Sequence, residues 1–528
     1  MPVRSKLRPL QSPASRIRSR SDVVEIDGVL ALSGRGETSS EARIADLLFL
    51  ADALDAADIE YLLIRDDAHR PILALDESDR LGVTRALVAA CVDEPFLSVA
   101  LKRNLHSRDE SVLIADGDVA PARTDRLLSL YRPRADGAGV LHAEPADGVR
   151  VEFWVRQGAE VRVPAANALT RRRFITAEMH PDTTERYGRT WSTIRDMFTD
   201  LVSDVTFPID MVFSWVDGTD KEWQRARARR MASYVVGEGD DSEARYRQID
   251  ELRYALRSVN AFMPWVRNIF IATDSKAPSW LIEHPRVRIV RSEEFFRDPS
   301  VLPTHNSQAV ESQLHRIEGL SDHFIYSNDD MFIGRPLRPE VFFSPGGISR
   351  FIEADTRIGL GDNDPARSGF ENAARVNRAL LRERFGRVIT RHLEHAAAPL
   401  TRTVIEEMEG VFEADFVATS SSPFRSKDNI SVTNSLYHYY ALLTGRAVQN
   451  TDSNVLYVDT TTHKGLGLLR RLGRRRDFDF FCLNDGSFPE VAPDVRAVKV
   501  TDFLQNYFPL AAPWERADDA HETTMQAG

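Results

Sequence analysis

Two acidic steps stand where apolar runs end. Ile209-Asp-Met-Val-Phe-Ser-Trp-Val216 breaks into Asp217-Gly-Thr-Asp220, and Phe324-Ile-Tyr326 leads into Asn328-Asp329-Asp330. Carboxylates leaving a buried strand can hold a hard divalent cation, because Mg²⁺ takes one or two carboxylates and completes its shell with phosphate oxygens. The competing reading is turn chemistry, since Asp and Asn commonly close strands. A third segment, about Ser307 to Glu318, reads as a helix with Val310, Leu314 and Ile317 on its buried stripe. Glu311, His315 and Glu318 fall on another face at i, i+4, i+7, where a solvated charge face competes with a ligand role. Further along, His395, Arg402 and Arg425 offer an imidazole for proton transfer and planar forks for phosphate oxygens. Phe481-Cys-Leu-Asn-Asp-Gly486 closes the series. Taken singly, each is explained equally well by a helix end or an ion pair.

These residues need a scaffold, and the hydrophobic patterning predicts one. Strands at 209–216, 269–272, 287–290 and 324–326 alternate with a polar helix after Asp220, a helix striped by Leu252, Ala255, Leu256 and Val259, and the 307–319 helix. Such alternation predicts an α/β fold with a mostly parallel sheet, and open sheets of this kind bind ligands beyond the carboxyl ends of their strands. After 370 the pattern turns helical, near 371–384, 399–412 and 429–443. Upstream, a helix over 43–57, a strand at 61–64, a helix over 78–92, a loop at 135–149 and a strand at 149–155 predict a smaller α/β or α+β module without a catalytic set.

Length and composition bound the rest. A chain of 528 residues is too long for one core. The expected division is a disordered basic tail (1–40), an accessory module (41–204), a catalytic domain (205–505) and a polar tail (506–528). Hydrophobic and charged fractions of 42% and 28% suit a soluble globular protein, and a net charge of -11 argues against nucleic-acid binding. The basic run Arg4, Lys6, Arg8, Arg16, Arg18 and Arg20 lacks a following apolar stretch, so it does not open a secretory signal. No segment is long enough to span a bilayer. Two cysteines, Cys91 and Cys482, support neither a disulfide framework nor a thiolate metal site. A cytoplasmic location follows, with at most peripheral contact at the membrane's inner face; a homo-oligomer is compatible.

In combination the motifs resemble the Stealth family, the hexose-1-phosphotransferases of bacterial capsule and exopolysaccharide synthesis, to which the catalytic subunit of the animal N-acetylglucosamine-1-phosphotransferase also belongs. Ile209 through Asp220 is similar to its first block. Asp250 through Ser258, Pro264 through Ile271, Ala309 through Ser312, Arg316 through Leu320 and Phe324 through Phe332 are similar to the second. His395 through Glu407 with Phe424-Arg-Ser-Lys-Asp428 is similar to the third, and Phe481 through Gly486 to the fourth. Two departures, His305 in place of an aromatic residue and the plain Ala396-Ala397-Ala398, bear on acceptor contacts.

The resemblance implies a Rossmann-like, nucleotide-sugar-transferase-type core. It implies transfer of a sugar 1-phosphate, such as N-acetylhexosamine or hexose 1-phosphate, from a UDP-sugar to a saccharide hydroxyl, with release of UMP. Mg²⁺ or Mn²⁺ is the implied cofactor, with Glu311 and Asp330 as metal acids and Asp329 beside them. It also implies His395 as catalytic base, Arg425 on phosphate, and Trp215, Asp217, Asp220, Arg253, Asn484 and Asp485 around the donor. Two alternatives stay open: a glycosyltransferase releasing UDP, and a non-catalytic nucleotide-sugar-binding protein.

Overall fold

The computed structural model describes residues 12–33, 36–101, 111–135, 141–142, 145–231, 249–486 and 489–516, with the side chains of 223 and 226 left aside. The chain divides into two compact units, Met1–Asp200 and Leu201–Gly528.

In the first unit the strand Val149–Gln157 is central. It pairs antiparallel with Leu127–Tyr131 and parallel with Pro71–Asp76, which pairs antiparallel with Tyr61–Arg65. Helices Ser39–Asp55 and Arg80–Ala90 pack Leu47, Leu50, Leu54, Val83 and Leu87 onto that sheet. A capping box fixes the start of the first helix, with Thr38 and Glu41 bonding each other's backbone N–H groups. The expected disordered tail is corrected in part. Ser12 caps the short helix Pro13–Arg18, and the hairpin Val23–Ile26 with Val29–Ser33 buries Ile17, Val23, Leu30 and Leu32 together with Ala115. Alternating apolar residues across a Gly-containing turn outweigh the Ser, Pro and Arg content that suggested disorder. Arg4, Lys6 and Arg8, and residues 136–140 and 143–144 of the 135–149 loop, lie outside the described residues.

The second unit contains the expected parallel sheet. Its strand order is Val287–Val290, Ile269–Ala272, Ile209–Ser214, His323–Asn328, Ala398–Thr401; the first four run parallel and the last antiparallel. Side chains alternate as a strand requires. Ile209, Met211 and Phe213 enter one core with Leu252, Ala255, Leu256 and Val259 of the helix Glu251–Phe262, while Val212, Phe270, Phe324 and Tyr326 enter another with Ala309, Leu314 and Leu400. Asp210 is fully buried at the strand start. It accepts from Arg267 Nε and Nη2 at 2.8 and 2.6 Å and from the backbone N–H of Ser321 at 2.7 Å. One carboxylate thus ties together the beginnings of three neighbouring strands. A second sheet continues beyond Asp330: Met331–Ile333 pairs antiparallel with Phe480–Asn484, which runs parallel to Val455–Asp459. Among the described residues no helix is long and apolar enough to cross a membrane.

Three expected helices change. The segment after Ser307 is helical only over Ser307–Glu311, then forms a single 3₁₀ turn at Leu314–Arg316. Ser312 Oγ donates to Ala309 O at 2.7 Å at the break, a local bond that competes with helix continuation. The 399–412 segment begins as the edge strand Ala398–Thr401, where Pro399 is tolerated, and becomes helical at Arg402–Val411. The 429–443 segment opens with one π turn, Val432–Leu436, before the helix Tyr437–Leu443.

The expected polar tail from 506 is also corrected through Arg516. Trp514 is fully buried and Glu515 accepts from Arg253 Nε at 2.6 Å and from Arg257 Nε and Nη2 at 2.7 and 2.6 Å. Burial alone would raise the Glu515 carboxyl, but the two guanidinium groups hold it below its ordinary value. Removing one partner of such a pair strands the other charge in a dry place. Glu515→Ala is therefore expected to destabilise the second unit by about 3–5 kcal/mol, read as a shift of the denaturant midpoint. A loss below about 1 kcal/mol, the range of an exposed ion pair, contradicts this account.

Candidate active site

The sheet's carboxyl edge gathers polar groups that the apolar strands do not need. Tyr326 donates its hydroxyl to Asn328 Oδ1 at 2.7 Å and lies 2.9 Å from Ser214 Oγ, joining the ends of the two central strands. Tyr326 is fully buried beside Glu311 and within the field of Asp330. Burial and those two carboxylates push its phenol well above the ordinary range.

Glu311 ends its short helix inside this cluster. Its Oε2 accepts from Thr433 Oγ1 at 2.7 Å, and Ser307 and Tyr326 are also within hydrogen-bonding reach. Burial raises its carboxyl, while the Thr433 bond and the Arg425 charge pull the other way. Thr433 sits in the π turn, a feature frequent at functional sites. Its carbonyl lies 2.8 Å from Nε2 of fully buried His438, whose imidazole burial lowers to about 4. Arg425 donates from Nη2 to Ser307 Oγ at 2.8 Å. Its stem lies against Gly369, where an added Cβ would come within 2.8 Å of the Arg425 Cβ and Cδ.

Asp329 and Asp330 close the strand. Burial, the Asp330 charge and the Glu251 charge, in that order, push the Asp329 carboxyl well above its ordinary range. Cys482 Sγ donates to Asp330 Oδ2 at 3.5 Å, and burial together with Asp330 pushes that thiol well up. His395 lies in the bend between strands Arg391–Leu393 and Ala398–Thr401. Burial lowers its imidazole and the nearby Asp330 carboxylate opposes that.

The matches to known proteins follow this geometry. Stealth protein CR1, conserved region 1, matches residues 207–235; CR2, conserved region 2, 245–351; CR3, conserved region 3, 394–442; and CR4, conserved region 4, 470–526. Exopolysaccharide phosphotransferase CpsY of Mycobacterium tuberculosis is 56% identical over 494 residues, 94% of this chain and 92% of that protein. The chain belongs to the Stealth family. The CpsY of Mycobacterium leprae is 54% identical over 98% of this chain and 92% of that protein, and an exopolysaccharide phosphotransferase of Nocardia farcinica is 52% identical over 94% and 92%. A solved galactosyltransferase LgtC, bound to donor and acceptor sugar analogues, is similar at a TM-score of 0.30 and 12% identity, covering 57% of this chain and 96% of that one, a likeness too loose to carry an argument.

The Stealth regions supply the clustered groups: the second holds Glu311, Asp329 and Asp330, and the third His395, Arg425 and Thr433. Other residues assigned by resemblance sit differently. Trp215 is 6% exposed, within the hydrophobic core. Arg253 is bonded to Glu515. Asp217 Oδ1 accepts from Thr219 N and Oγ1 at 2.9 and 2.6 Å, and Asp220 Oδ1 from Glu222 N at 2.8 Å, the turn chemistry weighed in the sequence. Asp485 pairs with buried Arg496, and the Asn484 carbonyl accepts from Thr460 N at 3.0 Å. Sequence reasoning missed Ser214, Ser307, Tyr326, Glu251 and Thr433. The first three could have been found as polar residues at the ends of apolar elements; Thr433 had no signal, because the π turn is invisible in the pattern.

The helix break also settles His315. Its Nε2 lies 2.9 Å from Glu409 Oε2, and Arg316 donates to the same oxygen at 2.7 Å. Burial would raise Glu409, but these bonds hold it down to about 2 from an ordinary 4.5. A depressed carboxylate contributes stability that is present above pH 4.5 and lost as pH falls toward 2. Glu409→Gln is expected to lower stability at pH 7 by about 1–3 kcal/mol and to flatten the loss between pH 4.5 and 2, checked by unfolding midpoints against pH. An unchanged acid slope refutes the pairing.

Proposed function

We propose that this chain transfers a sugar 1-phosphate from a UDP-sugar to a saccharide hydroxyl, forming a phosphodiester and releasing UMP, in exopolysaccharide or capsule synthesis. The observation that carries the reading is the approach of His395 to Asp330, with Arg425 and Glu311 across Tyr326, all inside Stealth regions of a chain whose relatives are named exopolysaccharide phosphotransferases.

The acceptor oxygen attacks the sugar-side phosphorus, the bond from that phosphorus to the bridging oxygen breaks, and UMP leaves with that oxygen. The acceptor proton passes to His395. Burial keeps the imidazole neutral at pH 7, the form a base requires, while the Asp330 charge stabilises the imidazolium that results. Arg425 presents a guanidinium fork to the diphosphate, and its attachment to Ser307 limits the rotamers it must lose. Glu311 holds Ser307 and Thr433 in place on the same side.

Among the described residues no three His, Cys, Asp or Glu side chains form a ready-made metal cage. The residues nevertheless fit a hard cation: burial and then the Asp330 and Glu251 carboxylates raise Asp329, and Mg²⁺ or Mn²⁺ with its own waters would offset that crowding of acids. Asp330 and Asp329 would hold it, and when bound it supplies charge neutralisation for the diphosphate. Glu311, the second metal acid the resemblance names, accepts from Thr433 and lies in the field of Arg425, and Asp329 is a further candidate beside Asp330.

The test is to incubate the enzyme with UDP-N-acetylglucosamine, Mg²⁺ or Mn²⁺ and oligosaccharides, and to identify the nucleotide released. UMP is expected; UDP means glycosyl transfer, and no turnover means binding alone. His395→Ala should lower kcat by about 10²–10⁴-fold with donor binding retained, and should remove the acid limb of the pH profile, which lies below the ordinary 6.5. Arg425→Lys should weaken both donor affinity and rate, and Asp330→Asn or EDTA should abolish turnover. His395→Ala within tenfold of wild type with an unaltered pH profile overturns the assignment of the base.

A further inference from the structure

Among the described residues only two aromatic side chains are exposed, Phe370 at 37% and Tyr457 at 46%, and both border His395. The ring centroids lie 6.1 Å from His395 for Phe370 and 5.4 Å for Tyr457, the latter edge-on at 81°. Every other aromatic ring among the described residues is at least partly withdrawn from water. Each ring leaves part of its face in water and so forgoes a fraction of the about 1.5–3 kcal/mol that full burial is worth, and their coincidence at one imidazole points to a ligand.

Both rings are held in place. Phe370 stacks on buried His392 at 4.6 Å and 24°, and burial lowers the His392 imidazole. Its neighbour Gly369 backs the Arg425 stem, and the Gly369 carbonyl accepts from Gln308 Nε2 at 3.2 Å. Tyr457 is in direct register with Cys482, the residue bonded to Asp330, so these side chains share one face of the second sheet. Neither Phe370 nor Tyr457 falls within a matched Stealth region; they lie in the intervals 352–393 and 443–469.

We propose that Phe370 and Tyr457 form an acceptor subsite that takes the apolar face of a pyranose ring. A pyranose presents axial C–H groups on its faces and hydroxyls at its rim. An aromatic face is electron-rich and apolar, so it receives the C–H face while the rim hydroxyl turns toward His395. The donor is the wrong occupant for these rings: its diphosphate belongs with Arg425, and the group bound next to a base is the one that loses a proton. Segments outside the matched regions then choose the acceptor, while the regions themselves supply the chemistry. This rests on the phosphotransfer reading with His395 as base.

The experiment measures UMP release from UDP-N-acetylglucosamine with gluco-, manno- and galacto-oligosaccharides. Phe370→Leu and Tyr457→Leu keep bulk and apolarity but lose the flat face. Each should raise the acceptor KM about tenfold, with donor KM unchanged and the thermal midpoint retained. Tyr457→Phe, which keeps the ring, should restore the wild-type acceptor KM. An acceptor KM within twofold of wild type in both Leu variants overturns the subsite, as does a Tyr457→Phe defect equal to that of Tyr457→Leu. Failure of the wild-type enzyme to release UMP with any saccharide instead overturns the underlying reading.

Discussion

The crowding of Asp329 and Asp330 at the end of a buried strand is the constraint around which the second unit is arranged. Burial, Asp330 and Glu251 all act against ionisation of Asp329. Such crowding is tolerable only where the chain turns at once and where something positive or protic is in reach. The chain does turn, entering Met331–Ile333 of another sheet, and Leu483 N donates to Asp330 O at 3.0 Å to hold that turn. The protic neighbours are the Cys482 thiol and the His395 imidazole. Two sheets and the bend at 394–397 therefore converge on one pair of carboxylates.

Carboxylates elsewhere in the unit show what a purely structural acid looks like. Asp210 has Arg267 and two backbone donors, Glu515 has Arg253 and Arg257, and Glu409 has His315 and Arg316. Each is buried and each has direct cationic partners. At the strand end the pattern changes: Glu311 is bonded by hydroxyls, and Asp330 meets a thiol and a histidine. Hydroxyls and thiols satisfy an oxygen without cancelling its charge, and Arg425 acts on Glu311 through space, so these acids can act on a ligand. Perturbed carboxyl groups gathered in this way mark functional sites.

Much of this was legible because burial writes itself as pattern. The strands at 209, 269, 287 and 324 and the stripe of Leu252, Ala255, Leu256 and Val259 are apolar runs of the right period, and each formed. What escaped was decided by tertiary contacts. Ile17 and Trp514 looked like parts of polar tails because one or two apolar residues carry little weight in a window, yet both are fully buried. Glu311 and His315 read as one helical face until Ser312 bonded back to Ala309 and ended the helix, after which they serve different ends. Thr433 reaches Glu311 only through an extra residue in its helical turn. Arg253 and Asp485 carry a family expectation of donor contact, and each also has an ion-pair partner in the chain, Arg253 with Glu515 262 residues on and Asp485 with Arg496 in the following helix.

The distribution of exposed and buried rings carries the argument one step further. Phe332, Phe481 and Phe508 stack within the core, and their job is to fix the second sheet under Asp330. Phe370 and Tyr457 have the same chemistry but stand partly exposed beside His395, where a ligand ring could complete their burial. A transferase needs two kinds of recognition. Charge recognises a diphosphate whatever sugar it carries, and shape recognises the ring that receives it. On the proposed phosphotransfer reading, Arg425 and a cation held by the half-buried strand-end acids would meet the diphosphate, and two rings on the segments between the matched regions would meet the acceptor. Acceptor preference could then change by substitution at Phe370 or Tyr457 without disturbing the half-buried carboxylates at the strand end.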